Sequence, residues 1–305
     1  MDHFIRTALG SAFIRAHHTA HGEHPLIFED THAHFMLSED ETSEFNTLFT
    51  DLAHSEVARG AAMRLVPPAA SDVDAFIRTS PVASEVLTRQ RYAEDCLSAS
   101  ESHGITQYVM LGAGMDSYAV RHHRSKLSVF EVDRDKVLEV KARRVQTASL
   151  KLPERFSFVA SNLEGGDLWR DLCAAGFRAE YPSFVSWLGV TPYLPLDAIR
   201  AVLSFANRKC CIGTEIVFDY TSPEALDPVH GSRSTMKLAA RLREIGQPLV
   251  LSLSYACVKE LLAGTKLHLV EHLSTEDIHR RYTATRKDGY PAPEFVNLVR
   301  LRVAQ

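Results

Sequence analysis

The sequence predicts an α/β domain: a doubly wound, mostly parallel seven-stranded sheet with an N-terminal helical cap and a lid insertion. Short apolar runs at 107–111, 127–132, 156–160, 184–188, 215–220, 267–270 and 296–303 have strand character. Helical stretches separate the first five. Strands alternating with helices need crossover connections, which place helices on both faces of a parallel sheet. Residues 1–103 read instead as helical, with apolar side chains at three- and four-residue steps (Phe4, Ala8, Phe13, Ala16; Val82, Val86).

Taken in order, Pro67-Pro68 interrupts the helical zone. Ser80-Pro81 marks the entry to a longer helix, with Ser80 as N-cap and Pro81 at the first position. A Lys-, Arg- and Glu-rich helix is expected around 134–149, and another over 196–207, started by Pro195. A polar, Pro-containing stretch opens 221–250, which carries a helix over 234–245 and reads as the lid. Residues 251–305 complete the sheet edge. No helix follows the last strand, which is expected to be antiparallel. The organisation is a single domain over 1–305: cap 1–103, core 104–220, lid 221–250, edge 251–305.

The 305 residues are 45% hydrophobic, ordinary for a folded chain with a sizeable core. A formal net charge of -4 gives no long-range attraction to phosphate backbones, so nucleic acid is not an expected partner. The five cysteines include no C-x-x-C pair, and reduced thiols are expected. The first residues lack the apolar core of a secretory signal, and no apolar run reaches membrane-spanning length. A cytoplasmic protein, monomer or homodimer, acting on a small molecule is the expectation. His17 and His21 share a helix face but lack the carboxylate of a zinc motif, so no metal is expected.

The chemistry-bearing segment is Val109-Met110-Leu111-Gly112-Ala113-Gly114-Met115-Asp116-Ser117. A buried strand runs into G-x-G, whose glycines permit a tight turn and close approach of a ligand to the backbone. Replacing Gly112 by Val is expected to push a side chain into that ligand's path. Glu131 and Asp133 end the next strand, where an acid can accept from ribose hydroxyls. Ser117 stands where a dinucleotide fingerprint has its third glycine, and Asp116 would repel a pyrophosphate. S-adenosylmethionine, which carries no phosphate, is the expected cofactor. An NAD(P)-dependent oxidoreductase and a non-catalytic adenosine-ligand-binding protein are the alternatives.

These residues resemble the leucine carboxyl methyltransferase-like O-methyltransferases. The resemblance runs through QYVMLGAGMDSYAVR (107–121), EVDRDKVLEVKARRV (131–145), SWLGVTPYLPLDAI (186–199) and EIVFDY (215–220), with RTALGSAFIRA and RQRYAED upstream. It implies a Rossmann-like class I methyltransferase acting on a small molecule, such as a polyketide or other secondary metabolite. By position it assigns Gly112, Ala113 and Gly114 to the methionine part of the cofactor. Asp133, with Glu131, falls at the ribose, and Arg89 at the cofactor carboxylate. Two departures stand out. Asn162-Leu163 replaces the family's Asp-Leu at the adenine, and Leu188 replaces a Glu after the fourth strand, leaving apolar packing from Trp187 and Leu188.

Methyl transfer is an in-line displacement, so the protein's main task is to hold the nucleophile aligned and desolvated. No convincing base is legible. A carboxylate, already ionised, or an acidic hydroxyl is therefore the expected acceptor. Arg15, Tyr193, Tyr220 and the 221–250 segment are the expected substrate contacts.

Overall fold

A computed structural model describes residues 3–57, 71–227, 229–244 and 246–305. The expected Pro67-Pro68 break lies outside the described residues. The cap comprises α1 (His3–His21), α2 (Glu39–Val57), α3 (Asp72–Thr79) and α4 (Pro81–Glu101). The core follows as β1 (Gln107–Leu111), α5 (Tyr118–Arg121), β2 (Ser128–Asp133), α6 (Asp135–Thr147), β3 (Phe156–Ala160), α7 (Leu168–Ala174), β4 (Ser183–Trp187), α8 (Leu196–Lys209) and β5 (Glu215–Thr221). The chain ends with α9 (Arg233–Glu244), α10 (Tyr255–Leu262), β6 (Leu267–Leu273), α11 (Thr275–Tyr282) and β7 (Val296–Val303).

One seven-stranded sheet has the order β3-β2-β1-β4-β5-β7-β6. Strands β1 to β5 are parallel, and β7 runs antiparallel to both β5 and β6. The chain winds outward from β1 through β2 and β3, then returns to the other side at β4. The crevice of such a sheet opens where the winding reverses, at the carboxyl ends of β1 and β4.

Period-two alternation divides the core. Val109, Leu111, Phe130, Val132, Val185, Trp187 and Phe218 pack on one face against Ile199, Val202 and Leu203 of α8. Tyr108, Met110, Val129, Phe184 and Val217 pack on the other against Tyr92, Ala93 and Leu97 of α4. A third cluster joins the cap (Leu9, Phe13, Phe45, Phe49, Ile77) to Met115, just past the glycine turn, and to Val137 and Val145 of α6. The cap is thus fastened over the crevice by apolar burial.

Helix α4 begins as expected with Pro81 in its first turn. Ser80 stands at the N-cap position without a side-chain bond to the helix. Helix α11 was not legible. It has eight residues and a single buried side chain, Ile278, and its start is set by the Ser274–Asp277 capping box.

Candidate cofactor site

The glycine turn is held open by its own backbone. Gly112 (φ 70°) and Gly114 (φ 49°) are left-handed, a conformation that costs other residues roughly 1–2 kcal/mol. The amides of Gly112 and Ala113 donate to the Val132 carbonyl at 2.9 and 3.0 Å. Asp133 closes the turn: one carboxylate oxygen accepts from Gly114 N–H and the other from Arg134 N–H, both at 2.7 Å. Burial raises its pKa, and these backbone bonds oppose the rise. Each oxygen keeps a second lone pair able to accept from a ribose hydroxyl.

The turn borders a cavity of about 290 Å³ at the sheet's switch point. Of the residues expected from the sequence, Arg89, Gly112, Ala113, Gly114, Asp133, Asn162, Leu163, Leu188, Arg15 and Tyr193 line it. Glu131, Trp187 and Tyr220 do not. Glu131 shares a sheet face with Asp133 but lies ~7 Å deeper along the strand, under α6. There it ion-pairs with the buried Lys141, and burial, opposed by Lys141, pushes its carboxyl up to about 7. Trp187 is wholly buried in the sheet core. Tyr220 points to the opposite face and bonds His272 at 2.8 Å. Its neighbour Asp219 is buried behind the cavity wall, 3.6 Å from Arg89, and Thr221 is the β5 residue that lines the cavity.

The expected clash at Gly112 also differs. A Cβ there would run into Val190 Cγ2, a wall of the cavity. Arg15 lines the cavity with its charge already engaged. Its guanidinium donates to Asp30 at 2.8 Å and to the Met115 carbonyl at 2.6 Å. Asp30 also accepts from Ser117 and lies 3.5 Å from Arg121, which pairs with Glu94. Burial alone would raise the Asp30 carboxyl, but Arg15, Arg121 and Ser117 together hold it below the usual range. This network ties α1 to the residues just past the glycine turn. Asn162 is exposed, and its side-chain oxygen accepts from Glu164 N–H at 3.1 Å.

Three functional candidates escaped sequence reasoning. Arg89 donates to Glu85 at 2.7 Å and lies 3.6 Å from Asp219. Asp219 in turn accepts from Gly189 N–H at 2.7 Å. Gly189 (φ 66°) lets the guanidinium lie on the backbone, because a Cβ there would stand 2.5–2.7 Å from its atoms. Burial pushes the Glu85 carboxyl up to about 7, although Arg89 favours ionisation; Asp219 adds to the rise. The readable signal was the i, i+4 spacing of Glu85 and Arg89 on one helix. Nothing in the sequence alone placed Asp219 and Gly189 beside them.

His122 is half-exposed beside Glu94, away from the cavity lining. Residues 234, 235, 238 and 242 of α9 line the cavity, joined by Gln247 and Leu249. Gln247 accepts from Thr7 of α1 at 2.5 Å, and Glu294 accepts from Ser234 and Thr235 at 2.8 and 2.7 Å.

A seven-stranded sheet of this order, with a glycine turn after β1 and an acid closing β2 over one cavity, defines a class I methyltransferase. The chain belongs to the leucine carboxyl methyltransferase family, which matches residues 8–207. YktD of Bacillus subtilis (strain 168), named for S-adenosyl-L-methionine-dependent methyl transfer, is 29% identical over 96% of each chain. SCO7813 of Streptomyces coelicolor carries the same description and is 32% identical, over 58% of this chain and 62% of its own length. In structure, a DUF574 family protein from Streptomyces avermitilis aligns over 96% of this chain and 97% of its own, with a TM-score of 0.57 at 11% identity. That likeness shows the fold. The chain is accordingly a S-adenosylmethionine-dependent methyltransferase.

Proposed function

We propose that this enzyme transfers the methyl group of S-adenosylmethionine to an oxygen of a small, largely apolar molecule, and that an acidic hydroxyl is its preferred acceptor. When bound, the sulfonium supplies an electrophilic methyl carbon. The chain's residues hold and orient the two reactants. Asp133 accepts from the ribose, Asn162 and Leu163 border the adenine, and Arg89 over Gly189 pairs with the carboxylate of the methionine end. Leu188 and Val190 exclude water from the middle of the cavity. Val296, Leu238, Leu242 and Leu249 give the acceptor side its apolar character, with Thr7, Gln247, Ser234 and Thr235 as polar partners. Segment 221–250 serves as the lid.

The charge balance of the lining carries the choice of acceptor. Glu85, Asp116, Asp133, Glu164 and Glu294 face Arg15, Arg89 and Arg134. Arg15 already pairs with Asp30 and Arg134 with Glu164, and Arg89, beside Glu85, is the one taken by the methionine carboxylate. A carboxylate acceptor would enter an excess of negative charge, whereas an acidic hydroxyl enters neutral and gives its proton up to solvent as the methyl group leaves the sulfonium and S-adenosylhomocysteine forms. Incubation with matched panels of phenols, including phenolic polyketides, and carboxylic acids, read by mass spectrometry for a gain of one methyl group, tests this. Phenols are expected to turn over faster. Faster turnover of the acids would overturn the preference, and products methylated only at nitrogen would overturn the reading itself.

A further inference from the structure

Three charged side chains meet at the cavity, two of them acidic: Glu85 and Arg89 line it, and Asp219 is buried just behind them. Glu85 and Arg89 come from one face of α4, and Asp219 from β5, two residues before its end. Arg89 stands between the carboxylates, so the ionised cluster carries a net charge of -1. The other cavity carboxylates are engaged elsewhere. Asp116 accepts from Gln90 and from Tyr118 N–H. Asp133 closes the glycine turn, Glu164 pairs with Arg134, and Glu294 accepts from hydroxyls of α9. The position after β4, next to the cluster, is the apolar Leu188. A ligand whose methionine end carries an ammonium therefore meets its counter-charge at the cluster rather than after β4.

We propose that the Glu85–Arg89–Asp219 cluster is the counter-ion for the ammonium of the methionine end, and that cofactor binding drives the proton off Glu85 into solvent. This rests on the cavity being the S-adenosylmethionine site. Arg89 alone cannot recognise a zwitterion, since it attracts the carboxylate and repels the ammonium. Glu85 in the lining and Asp219 buried behind it supply the opposite sign. Empty, the cluster concentrates two carboxylates around one cation in a water-poor wall, and Glu85 relieves this by holding a proton near neutral pH. An arriving ammonium makes the ionised form the stable one, and the proton leaves to buffer. The groups facing Glu85 are Arg89 on its own helix, Asp219 from β5 and Tyr193 from the turn after β4. Elsewhere on the wall, α1 presents Thr7, Ser11 and Arg15, whose charge Asp30 already balances, and β4 presents Ser186.

Calorimetric titration of the full chain with S-adenosylhomocysteine, in phosphate and in Tris buffer, counts the protons released. With Glu85 half-protonated at pH 7, about half a proton per bound ligand is expected there, and about a tenth at pH 8. Below pH 7 the affinity is expected to rise roughly tenfold per pH unit as pH increases. Glu85→Gln is expected to abolish both effects while the chain still melts cooperatively. 5′-Methylthioadenosine, which lacks the ammonium, is expected to bind the unaltered chain without proton release, a control independent of any variant. Tight binding of S-adenosylhomocysteine with no proton release at pH 7, or release that survives Glu85→Gln, would overturn the counter-ion proposal alone. Absence of any binding would overturn the cofactor site beneath it.

Discussion

A single methyl group added at Gly189 separates the fold from the site. In Gly189→Ala the new Cβ would lie 2.5–2.7 Å from the Arg89 guanidinium, far inside van der Waals contact. The backbone there is left-handed (φ 66°), which adds roughly 1–2 kcal/mol of strain. The clashing group is the end of a flexible side chain, so the structure can yield by swinging Arg89 away. The fold then survives with a modest loss. The site loses the 2.7 Å bond from Arg89 to Glu85 and the guanidinium's seat above the 189 amide. A charge-assisted bond of this kind contributes about 1.5–3 kcal/mol, so affinity for S-adenosylhomocysteine is expected to fall roughly ten- to a hundredfold. Calorimetry at fixed pH measures the affinity, and a thermal melt of the same sample reports the fold. Native affinity in a folded Gly189→Ala protein would refute the placement of Arg89 at the ligand.

Other substitutions probe the remaining assignments. Asp133→Asn is expected to weaken S-adenosylhomocysteine binding at least tenfold by calorimetry, and Glu131→Gln to leave it within about twofold, since Glu131 lies below the cavity; equal losses would contradict that division. Lys141→Met strands the buried Glu131 carboxylate and is expected to cost about 3–5 kcal/mol in urea unfolding. Because the Glu131 carboxyl is already raised in the folded chain, its ionised form disfavours folding as pH rises from its ordinary value through about 7, so the Lys141→Met loss should be larger at pH 8 than at pH 6. Tyr220→Phe removes only the bond to His272, so a loss of about 0.5–1.5 kcal/mol in stability with unchanged kcat and KM is expected; a raised KM would place Tyr220 at the substrate after all.

The middle of the sheet was legible because β1, β4 and β5 are buried on both faces and therefore read as apolar runs. Val109-Met110-Leu111 and Val296–Val303 fall where they were expected, and the last strand is antiparallel. The glycine turn was legible because a left-handed backbone selects glycine. What the sequence hid were long-range pairings of charge. Glu131 and Asp133 look alike as strand-end acids, and only the depth of the strand under α6 gives one to Lys141 and the other to the cavity. Arg15 and Arg89 were both expected on ligands. Their partners Asp30 and Asp219 come from chain segments whose proximity depends on the finished fold. Tyr220 and Asp219 are adjacent in sequence but face opposite sides of β5, so a one-residue error in facing exchanged a packing residue for a charged one. Short α11 escaped for a related reason: one buried side chain leaves too little periodicity to read.

A crystal structure of the chain with S-adenosylhomocysteine bound reads the site directly. The ribose hydroxyls are expected on Asp133, the methionine carboxylate on Arg89 above Gly189, and the sulfur turned towards the space beneath Leu238, Leu242 and Leu249. Ligand density elsewhere on the chain, or in this cavity with the methionine end turned away from Arg89, would contradict it.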